Sequence, residues 1–510
     1  MPTDNSRAEF LPRHKKEIIT GTTFCRVFRD TAEAYPDDMA VTAGGRAVTY
    51  RELSLITEAA ARKLIKQGVR PGGIVAISSG RSIESIAAML ASWKVGCAYV
   101  YLDRSYPDDR KRKVVDECHC AAVLDKEWWK NLPDVSDGKW TDESQNDGIA
   151  VIVYTSGSTS YPKGVMVTHR NVLAVMYSFE LFGTKRGTHY GVFPGLGFVA
   201  SVCDIFSSLA VGARLCIVPR CIRKNIRAIA DYYREYGVEI SFLPPHMARK
   251  LLALDIEDLP LKLLLVGSEP VRNLGHREDG SSVPFEILNV YGASEACSLI
   301  SCYKITESMD LDIAPVGKLV PGLYGWLVKD DGTLAKRGEE GELWLAGDQV
   351  TRGYFHDPER TAKSYVKNPY SDDPNLATAL RTNDILVELP DGNMRYVCRK
   401  DNVLKVRGFR VENTSVEQVM FECAPIKDAA VVAFMDKGGC NILCGYFTSD
   451  EEIDVKAFKE RMKKIVPYYM VPTCLMRIDK MPRTANGKTD RKALKPPKEL
   501  NNHKLLEILY

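Results

Sequence analysis

The residues best suited to chemistry on phosphates stand in one run, Thr155-Ser-Gly-Ser-Thr-Ser-Tyr-Pro-Lys-Gly164. Five small hydroxyl residues and one glycine fill its first six positions. Such residues pack poorly in a core. Thr155, Ser156, Gly157, Ser158 and Thr159 do suit a loop whose backbone N–H groups and hydroxyls surround phosphate oxygens. Lys163 adds a compact point charge. A Walker P-loop is excluded, because it needs Gly-Lys followed at once by Ser or Thr, whereas Lys163 follows a proline and precedes Gly164. A plain Ser/Thr-rich surface loop is the alternative. Against it, apolar strand patterns flank the run on both sides.

Three further runs carry charged groups at fixed places: Asn289-Val-Tyr-Gly-Ala-Ser-Glu295, Arg381-Thr-Asn-Asp384 and Asn486-Gly-Lys-Thr-Asp-Arg491. Taken singly, Glu295 reads as a solvated carboxylate and Lys488 as surface decoration. Taken in order with the loop, the runs resemble the motifs of the adenylate-forming superfamily: peptide-synthetase adenylation domains, acyl-CoA ligases and luciferases. The family loop is close to T-S-G-T-T-G-x-P-K-G, with Ser160 here in place of glycine. Val48-Thr-Tyr-Arg-Glu-Leu53, Lys94-Val-Gly-Cys-Ala-Tyr-Val-Tyr-Leu-Asp103, Gly341-Glu-Leu-Trp-Leu-Ala-Gly347 and Arg352-Gly-Tyr354 resemble elements that read as architectural. Arg399-Lys-Asp-Asn-Val-Leu-Lys-Val-Arg-Gly-Phe-Arg-Val-Glu412 resembles the junction between the family's two domains.

The resemblance implies roles. The 155–159 loop and Lys163 would hold the leaving pyrophosphate of ATP. Tyr291 would stack on adenine, Ser294 would lie near the α-phosphate, and Glu295 would hold Mg2+, a hard cation that takes carboxylate and phosphate oxygens. Asp384 would accept both ribose hydroxyls, with Arg399 also at the nucleotide. Lys488 would bridge the substrate carboxylate and AMP, and Asp401 would be the hinge. ATP and Mg2+ are the implied cofactors. The implied reaction joins a carboxylic acid to AMP, releases pyrophosphate, and passes the acyl group to a thiol. Asp401 and the run after it resemble peptide-synthetase adenylation domains more than acyl-CoA ligases. The expected partner is therefore a carrier protein acting in trans on its phosphopantetheine, with coenzyme A as the alternative acceptor. A catalytically inactive nucleotide-binding relative is kept as a reading of another class.

The acid pocket follows by the same resemblance. Phe198-Val-Ala-Ser-Val-Cys-Asp-Ile-Phe206 is similar to F-D-x-S-V-x-x-I-F, whose aspartate pairs with an α-ammonium. Val199 stands there, and a buried ammonium without a counter-charge is costly. Phe198, Ala200, Cys203, Phe242, Leu264, Val266, Val290, Ser298 and Leu299 complete the expected lining. A keto, hydroxy, aryl or short aliphatic acid is the expected substrate. A β-amino acid, or an α-amino acid whose amine is bound otherwise, stays open.

Elements must position these groups. Strand patterns at 72–78, 97–102, 149–154 and 214–218 alternate with helical patterns at 82–94, 171–179 and 226–236, which argues for α/β layers with largely parallel sheets. Residues 315–396 read as a small β-rich unit with glycine turns. The expected fold is α/β: a large N-terminal domain of layered α/β subdomains plus that β-rich unit (1–398), a hinge (399–402) and a small mobile α+β C-terminal domain (403–510). The 510 residues carry 69 basic and 66 acidic side chains, a balance that gives no reason to expect nucleic acid. The N-terminus lacks an apolar signal core, and the most apolar stretch, 83–102, is broken by Glu84 and Lys94, so no membrane span and a cytoplasmic location are expected. The fourteen cysteines read as reduced thiols. With no carrier segment after Arg491, the sequence reads as a free-standing adenylation enzyme.

Overall fold

The computed structural model describes residues 21–135, 142–155, 163–271, 274, 282–306, 313–400, 403–406, 409–436, 441–483 and 489–497. Ser156, Gly157, Ser158, Thr159, Asp401 and Lys488 lie outside the described residues.

Two α/β layers make up most of the chain. The larger sheet has nine strands in the spatial order Lys318–Leu319, Ser298–Ile305, Glu286–Ala293, Leu263–Gly267, Ile240–Leu243, His189–Val192, Arg214–Ile217, Met39–Ala43 and Arg46–Thr49. It is parallel from Glu286–Ala293 to Met39–Ala43 and antiparallel at both edges. The second sheet has five strands, ordered Ala122–Leu124, Ile74–Ile77, Ala98–Tyr101, Ile149–Thr155 and Lys163–Thr168. Only the last of these is antiparallel to its neighbour. Strands buried on both faces read as continuous apolar runs, as parallel sheets require.

Local chemistry sets the helix ends. Thr168 and Asn171 form a capping box, so the helix expected from 171 begins at His169. Thr49 and Glu52 do the same for helix Tyr50–Lys66. Helix Ile83–Lys94 is almost wholly buried and ends on Lys94, whose ammonium lies 2.6 Å from the Glu58 carboxylate. Trp93 packs against Phe24, Phe206 and His169 beneath helix Val199–Ala210.

The β-rich unit is an antiparallel sheet of Leu323–Val328, Glu340–Gly347, Thr378–Glu388, Tyr365–Lys367 and Met394–Arg399. Beyond it, ribbon Val403–Val406/Phe409–Glu412 leads to a separate three-stranded sheet, Asp428–Met435, Asn441–Thr448 and Cys474–Arg477. Helices Asn413–Cys423 and Val455–Ile465 accompany this sheet. Among the described residues no sheet crosses from the large part into these C-terminal strands. The two parts touch where Phe409, stacked on Tyr469, meets the edge of Phe198 at 5.3 Å. The thirteen described cysteines are free thiols, and no described helix is long and apolar enough to cross a membrane.

Candidate active site

Lys163 opens the strand that pairs with Ile149–Thr155, and its backbone partner is Thr155. Its ammonium lies 3.1 Å from Glu295 Oε1, and the two side chains are 7% and 5% exposed. The Tyr354 hydroxyl joins them, donating to Glu295 Oε1 at 2.8 Å and accepting from Lys163 Nζ at 3.2 Å. A cation and an anion 132 residues apart are thus held together with little water. Thr155 Oγ1 is buried with no hydrogen-bond partner among the described residues. Residues 156–162, which follow it directly, lie outside the described residues.

Glu295 sits on the short turn Ser294–Ala296, between strands Glu286–Ala293 and Ser298–Ile305. Ser294 is half-buried beside it. Cys297 and Ser298 both take positive φ, 47° and 79°, which reverses the chain at some conformational cost. Gly292 permits that reversal: a Cβ there would lie 1.6 Å from Ser298 O. The segment 349–355 straps the turn to strand Lys163–Thr168. Gln349 donates to Leu299 O at 2.6 Å, and the Thr351 N–H and hydroxyl both donate to Glu295 O at 3.0 Å. Arg352 N–H bonds Met166 O, and Phe355 N–H bonds Gly164 O. Sequence reading took Arg352-Gly-Tyr354 as architecture. It missed that Tyr354 and Thr351 touch the charged pair, and only the polar residues at 349, 351 and 354 hinted at it.

A second cluster gathers Tyr291, Asp384 and Arg399. Asp384 is 1% exposed. Its Oδ1 accepts from Arg399 at 2.7 Å, and its Oδ2 accepts from the Tyr291 hydroxyl. Burial, with the Asp384 charge second, pushes the Tyr291 phenol well above its ordinary range. Asn383, just before, has φ 60°, the conformation asparagine tolerates better than most residues. Its N–H reaches Glu342, a 1%-exposed carboxylate that also takes Arg381 and Lys400.

Helix Val199–Ala210 carries the expected pocket wall. Val199 and Cys203 are buried, Phe198 and Ala200 half-buried, and Cys203 Sγ lies 3.3 Å from Cys297 O. Phe242, Val290 and Leu299 pack on this side of the nine-stranded sheet, near Ser298. Leu264 and Val266 do not, which corrects the expected lining. Phe242 pairs with Leu265, and Val290 with Gly267. Leu264 and Val266 therefore point to the opposite face, where they pack with Leu243, Met247 and Leu251. Side chains alternate along a strand, so a one-residue offset moves the set across the sheet. Leu265 and Gly267 stand on the face that Phe242 and Val290 share. One carboxyl lies deeper on the same helix. Asp204 accepts the Tyr190 hydroxyl at 2.8 Å, its Oδ2 has no partner among the described residues, and burial lifts its pKa to about 7.

Among known proteins, the AMP-binding enzyme family matches residues 28–355, and the AMP-binding enzyme C-terminal domain matches residues 415–488. Surfactin synthase subunit 1 of Bacillus subtilis (strain 168) is 31% identical over 507 residues, covering 94% of this chain and 14% of that protein. Tyrocidine synthase 1 of Brevibacillus parabrevis is 30% identical over 499 residues, covering 94% of this chain and 45% of that protein. The chain thus spans less than half the length of either relative. Two solved structures share the fold. One is NpsA-ThdA, an artificially fused adenylation–PCP di-domain NRPS from Klebsiella oxytoca (TM-score 0.81, 24% identity, 90% of this chain and 94% of that one). The other is a double mutant of o-succinylbenzoate CoA synthetase from Bacillus subtilis (TM-score 0.81, 21% identity, 92% of this chain and 98% of that one). Matched in order by both family descriptions and folded like their members, the chain belongs to the AMP-binding enzyme family of adenylate-forming ligases.

Proposed function

We propose that this chain activates a carboxylic acid lacking a conventionally bound α-amino group as its acyl-adenylate, then transfers the acyl group to the phosphopantetheine thiol of a carrier protein. One observation carries the first half: the buried convergence of Lys163, Glu295 and a Thr155 hydroxyl that has no partner among the described residues, at one end of the two sheets. A carboxylate oxygen attacks the α-phosphorus of ATP, forming one O–P bond as the bond to pyrophosphate breaks. The protein has little covalent work here, so holding two anions together and neutralising charge dominate. Lys163 and the 155–159 loop face the leaving pyrophosphate. Tyr291 and Asp384 with Arg399 hold the nucleoside. Lys488 bridges the acid and AMP, and rotation about Asp401 then exchanges it for the thiol. Sulfur attacks the acyl carbon, and AMP departs with the former carboxylate oxygen. On this reading residues 1–398 form the adenylation domain, 399–402 the hinge and 403–510 the lid.

The residues fit a hard divalent cation. Glu295 already holds an ammonium at its carboxylate, and among the described residues no three His, Cys, Asp or Glu side chains cluster as a protein-only metal cage. A single carboxylate plus substrate phosphates is the arrangement Mg2+ favours. Bound there, Mg2+ supplies charge neutralisation at the phosphates.

The substrate class rests on Val199, a buried apolar side chain that opens helix Val199–Ala210, with Asp204 tied to Tyr190. The carrier acceptor is supported by the similarity to peptide synthetases and by the shared fold of an adenylation–PCP fusion. Acid-dependent exchange of labelled pyrophosphate into ATP, run over keto, hydroxy, aryl, aliphatic, β-amino and α-amino acids, tests the class. Holo-carrier proteins and free coenzyme A are then compared as acceptors. Exchange with α-amino acids alone would overturn the substrate reading, and transfer to coenzyme A alone would overturn the carrier.

A further inference from the structure

Glu295 and Lys163 satisfy one another in the free protein, yet the proposed chemistry needs them apart, the carboxylate on the metal and the ammonium on phosphate. Something must keep the carboxylate aimed when Lys163 leaves. Tyr354 is placed to do so. Its hydroxyl donates to Glu295 Oε1 at 2.8 Å. Its ring lies under Lys163 Nζ at 4.5 Å. The residue is 5% exposed and clamped on three sides. Its N–H donates to Thr361 Oγ1 at 2.9 Å, its ring meets Tyr365 edge-on at 5.9 Å, and its backbone bridges Val165. Tyr365 in turn shares a 2.6 Å hydrogen bond with Thr351, whose hydroxyl also holds Glu295 O. Backbone and carboxylate of Glu295 are thus fixed from the same strap by two different hydroxyls.

We propose that Tyr354 is the positioning residue of the metal carboxylate: its hydroxyl stays on Glu295 while Lys163 moves to the triphosphate. The inference rests on the reading of Glu295 and Lys163 given above. A phenol offers one O–H donor and leaves the carboxylate charged, so it orients the group without competing for a cation's charge. Hydrogen bonds behind a metal ligand typically govern affinity by about 10–100-fold. A lysine in the same place would keep its positive charge against the cation.

The test is Mn2+ titrated into the full chain with α,β-methylene-ATP and no acid, free Mn2+ being read by electron paramagnetic resonance. Tyr354→Phe keeps the ring and removes the hydroxyl. It is expected to weaken Mn2+ binding about tenfold, with nucleotide binding in the absence of metal unchanged. Thr351→Val, which removes the hydroxyl bonds to Glu295 O and Tyr365 but leaves the Tyr354 hydroxyl on the carboxylate, is expected to lower Tm and leave Mn2+ binding near wild type. Wild-type Mn2+ binding by Tyr354→Phe overturns the proposal, as does equal weakening by Thr351→Val. Glu295→Gln separates the two levels. If it too binds Mn2+ normally, the Glu295 reading itself has failed; if it alone loses binding, only the role of Tyr354 has. Should Tyr354→Phe not fold, 4-fluorophenylalanine at 354 fills the space of the hydroxyl without an O–H donor. It too is expected to weaken Mn2+ binding about tenfold, and wild-type binding overturns the proposal.

Discussion

Replacing Lys163 by methionine removes the ammonium and keeps most of the stem. The wild-type pair stands at 3.1 Å with both side chains under a tenth exposed. At that distance and an effective dielectric of about 20, the Coulomb attraction is about 5 kcal/mol. Most of it offsets the desolvation of the two ions, so the pair itself adds little net stability. Removing one partner is different. It strands a buried carboxylate, for which losses of about 3–5 kcal/mol are typical. Tyr354 still donates to Glu295, which places Lys163→Met at the lower end, about 3 kcal/mol. The assay is urea unfolding of the ligand-free chain at pH 7.5. The double variant Lys163→Met/Glu295→Gln should recover wild-type stability to within about 1 kcal/mol, since no unpaired charge remains, while supporting no pyrophosphate exchange. A Lys163→Met protein as stable as wild type, or a double variant no more stable than Lys163→Met, would refute the buried pair.

Asp204 gives a prediction of opposite character. Its carboxyl is raised from 3.8 to about 7 by burial, so the folded state keeps a proton that the unfolded chain releases. That contribution is fully present below pH 3.8 and is lost as pH rises to about 7. At ~1.4 kcal/mol per unit the ceiling is about 4 kcal/mol. Asp204→Asn should therefore gain stability over wild type at pH 8 and little at pH 4, read by thermal unfolding at both; a gain that does not depend on pH contradicts the assignment. Val199→Asp places a carboxylate at the first turn of a helix, a position the dipole favours. It should lower exchange with the native acid at least tenfold and admit α-amino acids in the same assay; unchanged selectivity counts against Val199 as the determinant. Lys488→Ala should abolish adenylation and largely spare thiolation of supplied acyl-adenylate, measured as carrier loading, and equal loss of both steps contradicts the role given to Lys488.

Much of the scaffold was legible because local chemistry and burial agree. Strands and helices of the α/β layers announce themselves by apolar runs between capped helices, and Ile226–Tyr236 stands where its spacing predicts. The start of the 169–178 helix was harder, because Asn171 performs the capping-box role more often given to Glu or Gln. The pocket register was not legible. Leu263-Leu-Leu-Val266 is apolar on both faces, so no alternation marks which side meets the pocket helix, and the cross-strand pairing of Leu265 with Phe242 decides it. Tyr354 stayed hidden for another reason. A tyrosine after glycine carries no charge pattern, and its meaning arises only when the strap folds back on a glutamate 59 positions earlier. Tyr291, Asp384 and Arg399 come from three separate runs of the sequence and meet through the cross-strand pairing of Asp384 with Arg399 and the Tyr291 hydrogen bond.

Formation of an acyl-adenylate can be followed atom by atom with an acid whose carboxylate carries 18O. One labelled oxygen attacks phosphorus and stays on AMP when the thiol takes the acyl carbon. Mass spectrometry of the released AMP should find one 18O per acyl group transferred. Unlabelled AMP, or label recovered in inorganic phosphate beside ADP, would contradict acyl-adenylate chemistry in this chain.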